Sequence, residues 1–302
     1  MYTFTGIGGF VPRAKKAHDK RFSLTRNFGA PSLILPERFS VEDEKGDING
    51  QRDQLRNFCT ACTSSEIGAD EWGKPMSQKF QALAISLIYR KPIYIQGAPI
   101  DVAMKSGRFY GFLPLDKEPQ NIKDSDYEPY ICDPANWPQD SSHSLEALKY
   151  KIPGGDFVVD GPYDHFDNYR AQLYWHKPDN GIALGMPWWA SISSALNGIV
   201  DSFLWGTIFW HAVSVKGFEP KDGQMRIKVR SWDKNKGKDS YFFFNRETFN
   251  RILSTPGAIG KMYLNVDESM VEDLKERKLS ITEQILNLYY QVLFRFSLIP
   301  KK

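Results

Sequence analysis

Apolar side chains recur every three or four residues in the segment that follows Pro75. They are Phe80, Leu83, Ala84, Leu87 and Ile88. One face of an α-helix has this spacing, and a proline suits the first helical turn. The pattern therefore predicts a helix of about three to four turns that begins at Met76.

Two shorter segments, Ile100 to Lys105 and Leu145 to Tyr150, also have helical spacing, and a long polar loop joins them. The first 50 residues are rich in glycine, proline and charge and have no sustained period. Such a composition indicates extended segments and loops that wrap the surface of the protein.

The second half of the chain has a different pattern. Aromatic and β-branched runs occur at Asn168 to Trp175, Ile208 to Val215, Met225 to Trp232 and Tyr241 to Phe244. Each run is bounded by Gly, Pro, Asp or Asn, which is typical of strands and hairpins. Helices followed by antiparallel strands predict an α+β fold rather than alternating βαβ units.

Composition limits the functional classes. The 302 residues are 41% hydrophobic and 25% charged, as in an ordinary folded protein, and the net charge of +3 provides no field that favours nucleic acid. Three cysteines are too few for a disulfide framework, and Met1 to Phe10 lacks the pattern of a secretory signal, so the compartment stays open. No cofactor or metal is expected.

The most apolar segment near the C-terminus is Ile285 to Ile299. It has 15 residues and is interrupted by Asn287, Gln291 and Arg295, which is short of the roughly 20 residues that cross a bilayer. We expect a helix that docks on the body of the protein or on a protein partner, and no membrane span.

Cys59 is the candidate nucleophile. It lies where a polar loop gives way to a run of small residues that can begin a buried helix. The free amides and partial positive charge of a helix N-terminus favour the thiolate, which is the nucleophilic form. Gln54 lies just upstream and could direct its amide N–H at a developing oxyanion, beside the backbone N–H of Cys59.

His211 is the candidate base. Strand alternation places it on one face with Phe209, Val213 and Val215. A single histidine on such a face is more often a core residue than a catalytic one. A helix-start cysteine followed much later by a strand histidine is, however, the order expected of a Cys-His couple assembled in space.

Several motifs in the first half carry a family resemblance. Leu35 to Phe39, then Asp53 and Gln54, then Asn57 to Ala61 resemble the start of papain-like peptidase domains of bacterial and phage type, which read L-P-x-x-x, D-Q-G and S-C-T-A. Met76 to Phe80 resembles their L-S-x-x-F element.

Further matches follow in family order. Gly97 with Ile100 to Met104 is similar to the glycine-then-helix segment that lines the substrate cleft. His211 to Val213 with Gly217 resembles H-A-V-x-x-x-G-Y, and Ser231-Trp232 ahead of Tyr241 resembles N-S-W-G followed by G-Y-F. The resemblance covers roughly residues 35 to 250.

The resemblance implies a papain-like two-lobed fold, with a helical lobe at about 50–150, an antiparallel β lobe at about 151–265 and a cleft between them. Residues 1–34 would wrap the body, and residues 266–302 would form a helical extension. It implies a thiol protease that hydrolyses peptide or protein substrates through Cys59 and His211, with Gln54 at the oxyanion. Gly97 and Ala98 would bind substrate, and Trp232 would shield His211.

The sequence departs from the family at its third catalytic position. The family has an orienting Asn before Ser-Trp, and this chain has Arg230 there. A guanidinium offers only donors, and its charge beside the imidazole would disfavour protonated histidine. Asp233 or Asn235 could take over the orienting role.

The nucleophile itself has an alternative. Gln54 lies five residues before Cys59, one fewer than the family spacing, and Leu55 replaces the usual glycine. A second alignment makes Cys62 the nucleophile and Cys59 the structural cysteine. The Cys-Thr-Ala match favours Cys59.

Two other functions stay open. Arg230 and the apolar C-terminal segment suggest a catalytically degenerate papain-like scaffold, a structural or binding component of a virion or surface assembly. Cys59-x-x-Cys62 could instead be a redox or zinc pair, although Cys132, His143 and His165 lack the spacing of a second ligand pair, and the βαβ context of a redox motif is absent.

Overall fold

The computed structural model describes residues 21–22, 34–50, 57–122, 128–138, 140–152, 155–159, 163–176, 181–201, 203–233, 235–264 and 271–272. Gln54, Leu55 and the predicted helix from Ile285 to Ile299 lie outside these residues, as does most of the predicted wrapping segment 1–34.

Most helices of the described chain precede residue 150. In chain order they are α1 (Val41–Lys45), α2 (Cys59–Trp72), α3 (Gln78–Tyr89), α4 (Ile93–Gln96), α5 (Ile100–Phe109), α6 (Glu128–Cys132), α7 (Ser142–Leu148), α8 (His165–His176), α9 (Ala190–Ser193) and α10 (Arg246–Leu253). Short 3₁₀ turns occur at Leu115–Lys117, Pro134–Asn136 and Leu196–Gly198. No helix in the described ranges has both the length and the apolar character to cross a bilayer.

The strands form one mixed sheet. They are β1 (Arg21–Phe22), β2 (Phe39–Ser40), β3 (Gly155–Val158), β4 (Ile182–Trp189), β5 (Ile199–Val200), β6 (Ile208–Lys221), β7 (Gln224–Arg230), β8 (Tyr241–Phe244), β9 (Ile259–Leu264) and β10 (Val271–Glu272). The order is β10-β1-β3-β9-β4-β6-β7-β8-β5, and β2 pairs with β6. The β1–β3 and β5–β8 pairs are parallel, and the other pairs are antiparallel.

The predicted helix after Pro75 is confirmed as α3. The Ser77 side chain accepts a hydrogen bond from the N–H of Phe80 and caps its start, and Arg90 in the left-handed region ends it. The two shorter helices are also present with shifted ends, because α5 continues to Phe109 and α7 begins at Ser142.

Helix α2 is the central helix of the protein. Its residues 59–70 are all buried, and it contacts α3, α5 and β6. The run of small side chains allows this close packing on several sides. Gly73, with φ of +63°, ends the helix by donating its N–H to the carbonyl of Ala69, which a glycine does without steric strain.

Strand β6 begins at Ile208 as predicted and runs on to Lys221, with a bulge between Val215 and Gly217. Gly217 pairs with Ser40 of β2, and a Cβ at Gly217 would lie 2.2 Å from the Phe39 carbonyl oxygen. Only glycine allows β2 to approach β6 this closely.

The strand predicted for Asn168 to Trp175 is wrong, because these residues belong to helix α8. Phe166, Tyr169 and Leu173 are buried at helical spacing. The Asp164 side chain accepts the N–H of Asp167 and stabilises the first turn. Burial of one helical face therefore outweighs the strand preference of aromatic residues.

Candidate active site

Cys59 is the first residue of α2 and has no exposed surface. It follows Phe58, whose side chain cannot cap the helix, so the first amides of α2 have no side-chain acceptor from that position. Asn57 adopts a φ of +61°, and its Nδ2 donates a 2.6 Å hydrogen bond to the carbonyl of Tyr94 in α4. The loop that precedes the thiol is thereby tied to the helix that leads to Gly97.

The Sγ of Cys59 accepts a 3.3 Å hydrogen bond from the backbone N–H of Ala212. Ala212 follows His211 directly in β6, so the structure brings the start of α2 against the strand residue next to the predicted base. An N–H donor at this distance favours the negatively charged form of the sulfur.

The His211 imidazole is buried in an aromatic environment. Its ring centroid lies 5.0 Å from that of Trp188 and 5.9 Å from that of Phe209, both in edge-on orientation. Burial lowers the pKa of His211 to about 3. The ring is therefore neutral at physiological pH, and the same burial disfavours its protonation.

Ser231 is a site residue that the sequence reasoning missed. Its Oγ lies 3.0 Å from the Nε2 of His211. The β6–β7 register explains the contact, because Ser214 pairs with Arg230 and the next position, Ser231, therefore falls on the opposite face of the ribbon, with His211. Alternation counted from the turn at Asp222 and Gly223 would have placed Arg230 with His211. The β-bulge between Val215 and Gly217 reverses that phase, so the sequence pattern alone did not reveal Ser231.

Arg230 faces away from the imidazole. Its Nη1 lies 2.5 Å from Asp47 and 2.8 Å from Glu66, and its Nη2 donates to the Gly50 carbonyl. The expectation of a positive charge beside His211 is wrong for this reason: adjacent residues of a strand point to opposite faces. Asp233, proposed as a substitute, is exposed and accepts the N–H of Asn235.

The Arg230 face carries a buried ion network. Lys216 Nζ lies 2.7 Å from Glu66 and 2.5 Å from Asp70, both on α2. Burial raises the pKa of Asp70 to about 7 in spite of the Lys216 charge. Burial opposes the charge of Lys216 as well, but the carboxylates of Asp70 and Glu66 outweigh it and raise the Lys216 pKa.

The same network contains the three carboxylates that come nearest to a metal site in the described residues. Glu42, Asp47 and Glu66 offer oxygens within 4.8 Å of one another. The Arg230 guanidinium contacts all three, at 2.5 to 3.8 Å, and Lys228 and Lys216 add positive charge at Glu42 and Glu66. The cysteines do not belong to this group.

The other predicted residues lie at the following places in the fold. Trp232 donates its indole N–H to the Ala212 carbonyl at 2.8 Å, while the rings that pack on His211 are Trp188 and Phe209. Gly97 has a φ of +73° at the end of α4, and Ala98 is buried. Cys62 is fully buried and lies about one helical turn after Cys59 in α2.

A cavity of about 460 Å³ lies on the sheet side, between α9, the segment 194–205 and the β6–β7 turn. Its lining includes Ser191, Leu196, Phe203, Trp205 and Asp222, but neither Cys59 nor His211. Cys59 has no exposed surface and His211 is buried, and this cavity opens onto neither side chain.

A central helix that begins at a cysteine, packed against a sheet whose strand carries a histidine, defines the papain-like cysteine-protease fold, and the chain has this two-lobed α+β fold. Solved structures support the class. No protein-family profile and no curated protein matches the sequence.

Three similar structures are named here. Xylellain, a cysteine protease from Xylella fastidiosa, has a TM-score of 0.64 at 20% identity and covers 88% of this chain and 99% of its own. Procathepsin B from Trypanosoma congolense has a TM-score of 0.62 at 17% identity, and the match covers 85% of this chain and 86% of the cathepsin chain. Procathepsin L 3 from Tenebrio molitor larval midgut has a TM-score of 0.56 at 13% identity, and the match covers 86% of this chain and 77% of the procathepsin chain. The recognised fold resemblance is confirmed.

Proposed function

We propose that the protein is a papain-type cysteine peptidase in which Cys59 is the nucleophile and His211 the base. The observation that carries this proposal is the hydrogen bond from Ala212 to the Cys59 sulfur, which joins the start of α2 to the strand position beside His211. The similar structures are proteases that act through a cysteine, which supports the same reaction class.

The reaction begins once the site is uncovered, because contact with solvent raises the pKa of His211 from its value in the buried state and lets the imidazole take a proton. His211 accepts the thiol proton, and the Cys59 sulfur attacks the peptide carbonyl carbon, forming a C–S bond and an oxyanion. The Cys59 backbone N–H and, as the sequence predicts, the Gln54 amide stabilise that oxyanion. The intermediate collapses as the C–N bond breaks, and imidazolium gives its proton to the leaving amine.

Water then hydrolyses the acyl-enzyme, with His211 as base, and releases the acid product and the thiol. Gly97 and Ala98 are proposed to contact the substrate backbone. Because Cys59 has no exposed surface, a peptide reaches its sulfur only after neighbouring chain segments move. Activity is therefore expected to depend on uncovering the thiol.

An epoxide or vinyl-sulfone probe tests the assignment. The probe should attach to Cys59 in the parent protein and in Cys62→Ala, and not in Cys59→Ala, with the modified residue located by peptide mass spectrometry. Cys132, which is buried away from α2, is the internal control. Equal labelling of Cys59→Ala and the parent would show that the assignment is wrong. Loss of labelling in Cys62→Ala would instead identify Cys62 as the nucleophile.

A second candidate is a papain-like scaffold that has lost catalysis and serves as a structural or binding component. The complete burial of Cys59 and the use of Arg230 in an ion network favour it. Turnover of peptide substrates by the unmodified protein would reject this candidate. An unreactive Cys59 that stays unlabelled after mild proteolysis would favour it over the enzyme.

We also propose that the papain-like domain spans residues 35–265, with helical and β lobes that meet near residue 150. Residues 266–302 would then first contribute strand β10 (Val271–Glu272) to the sheet and afterwards form a helical segment that can bind a protein partner. A chain that ends at residue 272 should retain the unfolding midpoint of the parent to within a few degrees. Loss of cooperative unfolding in the shortened chain would contradict this boundary.

A further inference from the structure

We propose that Ser231 is the positioning residue of His211, the role that an asparagine one place earlier fills in the family the sequence resembles. This inference rests on the proposed function. Its basis is the 3.0 Å contact between Ser231 Oγ and His211 Nε2 on a buried face of the β6–β7 ribbon.

The contact determines which nitrogen accepts a proton. A neutral imidazole carries hydrogen on one nitrogen and a lone pair on the other. When Nε2–H donates to Ser231 Oγ, the lone pair is on Nδ1, and Nδ1 is then the atom that takes the thiol proton. A buried Nε2–H without this acceptor would lose a hydrogen bond, and the preference between the two forms of the ring would weaken.

Ser231 is itself held firmly. It is buried, and its backbone N–H donates a 2.9 Å hydrogen bond to the Ser240 carbonyl. Its side chain has a single heavy-atom torsion, so little freedom is lost when Oγ faces the imidazole. A short side chain on a fixed backbone is thus sufficient to orient the ring.

The neighbouring residue Arg230 makes its hydrogen bonds away from the imidazole. Arg230 has only donors, and it uses them on Asp47, Glu66 and the Gly50 carbonyl on the other face of the ribbon. The orienting role and the ion-network role are therefore divided between two adjacent positions, with the serine turned to the imidazole.

The test compares Ser231→Ala with Ser231→Thr, which keeps the hydroxyl. We expect Ser231→Ala to lower kcat by roughly 30-fold, equivalent to about 2 kcal/mol at 1.36 kcal/mol per tenfold, with KM changed less than about twofold. Ser231→Thr should recover most of the rate. Ser214→Ala, which removes a buried hydroxyl on the opposite face of β6, is the matched control and should leave kcat unchanged.

A second readout does not require catalysis. The ¹⁵N shifts of His211 distinguish the Nε2–H form from the Nδ1–H form, and we expect the Nε2–H form in the parent and in Ser231→Thr and a mixture in Ser231→Ala. The same ring form in parent and Ser231→Ala would overturn the proposal, even if stability had fallen. If the parent cleaves no peptide, the proposed function fails while the ¹⁵N comparison still decides the role of Ser231.

Discussion

The backbone N–H of Ala212 lies 3.3 Å from the sulfur of Cys59, although the two residues are 153 positions apart in the chain. This hydrogen bond joins the first residue of α2 to the strand that carries His211. The relative position of Cys59 and His211 therefore depends on how α2 packs against β6, and substitutions in and around that packing test the structure directly.

The first prediction concerns the charge state of His211. Because burial lowers its pKa to about 3, its ring should stay neutral from pH 8 down to about pH 4. The ¹³C and ¹⁵N shifts of the ring, followed against pH, measure this. An inflection between pH 6 and 7, the range of an ordinary histidine, would contradict the burial of the ring.

The same shift has a consequence for stability. Between about pH 6.5 and 3 the unfolded chain binds a proton at His211 that the folded chain does not bind. The free energy of unfolding should therefore fall as the pH is lowered through this window. In His211→Ala this contribution to the slope is removed, which chemical denaturation at several pH values can measure.

The second prediction concerns Arg230→Asn, the change that would restore the family residue. It should lower the free energy of unfolding by about 1–3 kcal/mol, because buried Glu66 loses a charged partner 2.8 Å away but keeps Lys216 at 2.7 Å. It should not raise peptide hydrolysis, since position 230 faces away from His211. Denaturant titration and a peptidase assay measure the two effects.

Arg38→Gln is the control for charge removal. Arg38 pairs with Asp43 at 2.8 Å, but both side chains are largely exposed. Its loss should change stability by less than about 1 kcal/mol. Equal effects of the two substitutions would show that the Arg230 network is not buried, and a gain of activity in Arg230→Asn would show that residue 230 reaches the imidazole.

The third prediction concerns Asp70. Its pKa, raised to about 7, means that the folded chain holds a proton between about pH 3.8 and 7 that the unfolded chain has released. The stabilisation from that proton is complete below pH 3.8 and is lost as the pH rises through 7. The unfolding free energy of the parent, minus that of Asp70→Asn, should therefore decrease as the pH rises through this window. A pH-independent difference would contradict the raised pKa.

The fourth prediction concerns Gly217→Ala. The added Cβ would lie 2.2 Å from the Phe39 carbonyl oxygen, so β2 must move away from β6. We expect a loss of about 1–3 kcal/mol in unfolding free energy and faster hydrogen exchange at the amides of β2. Unchanged stability and exchange would show that β2 does not pack on this strand.

Local patterns predicted much of the fold. Helix α3 follows from its apolar spacing and its Ser77 cap, and β6 and β8 begin where the aromatic and β-branched runs begin. Strand β4 was missed because Gly185 and Pro187 interrupt its apolar run, yet it pairs with both β6 and β9. Its place between two strands stabilises a segment whose own preference for β structure is weak.

The candidate site shows the same limit. Cys59 and His211 were predicted from motifs, but the partners of Arg230 were not, because Asp47 and Glu66 lie 183 and 164 positions away in the chain. Such contacts depend on tertiary packing. Ser231 was missed for a related reason, because the β-bulge between Val215 and Gly217 changes the register of the hairpin and so brings Ser231 to the face of His211.

The two faces of the β6–β7 ribbon also affect how such a sequence can diverge. One face carries the His211 imidazole. The other carries Arg230 and Lys216, whose ion pairs with carboxylates of α2 link the sheet to that helix. Loss of Cys59 or His211 leaves Arg230, Lys216 and their carboxylates in place. A related protein without catalysis would therefore still fold. Its surface could then evolve to bind another partner while the ion network stayed the same.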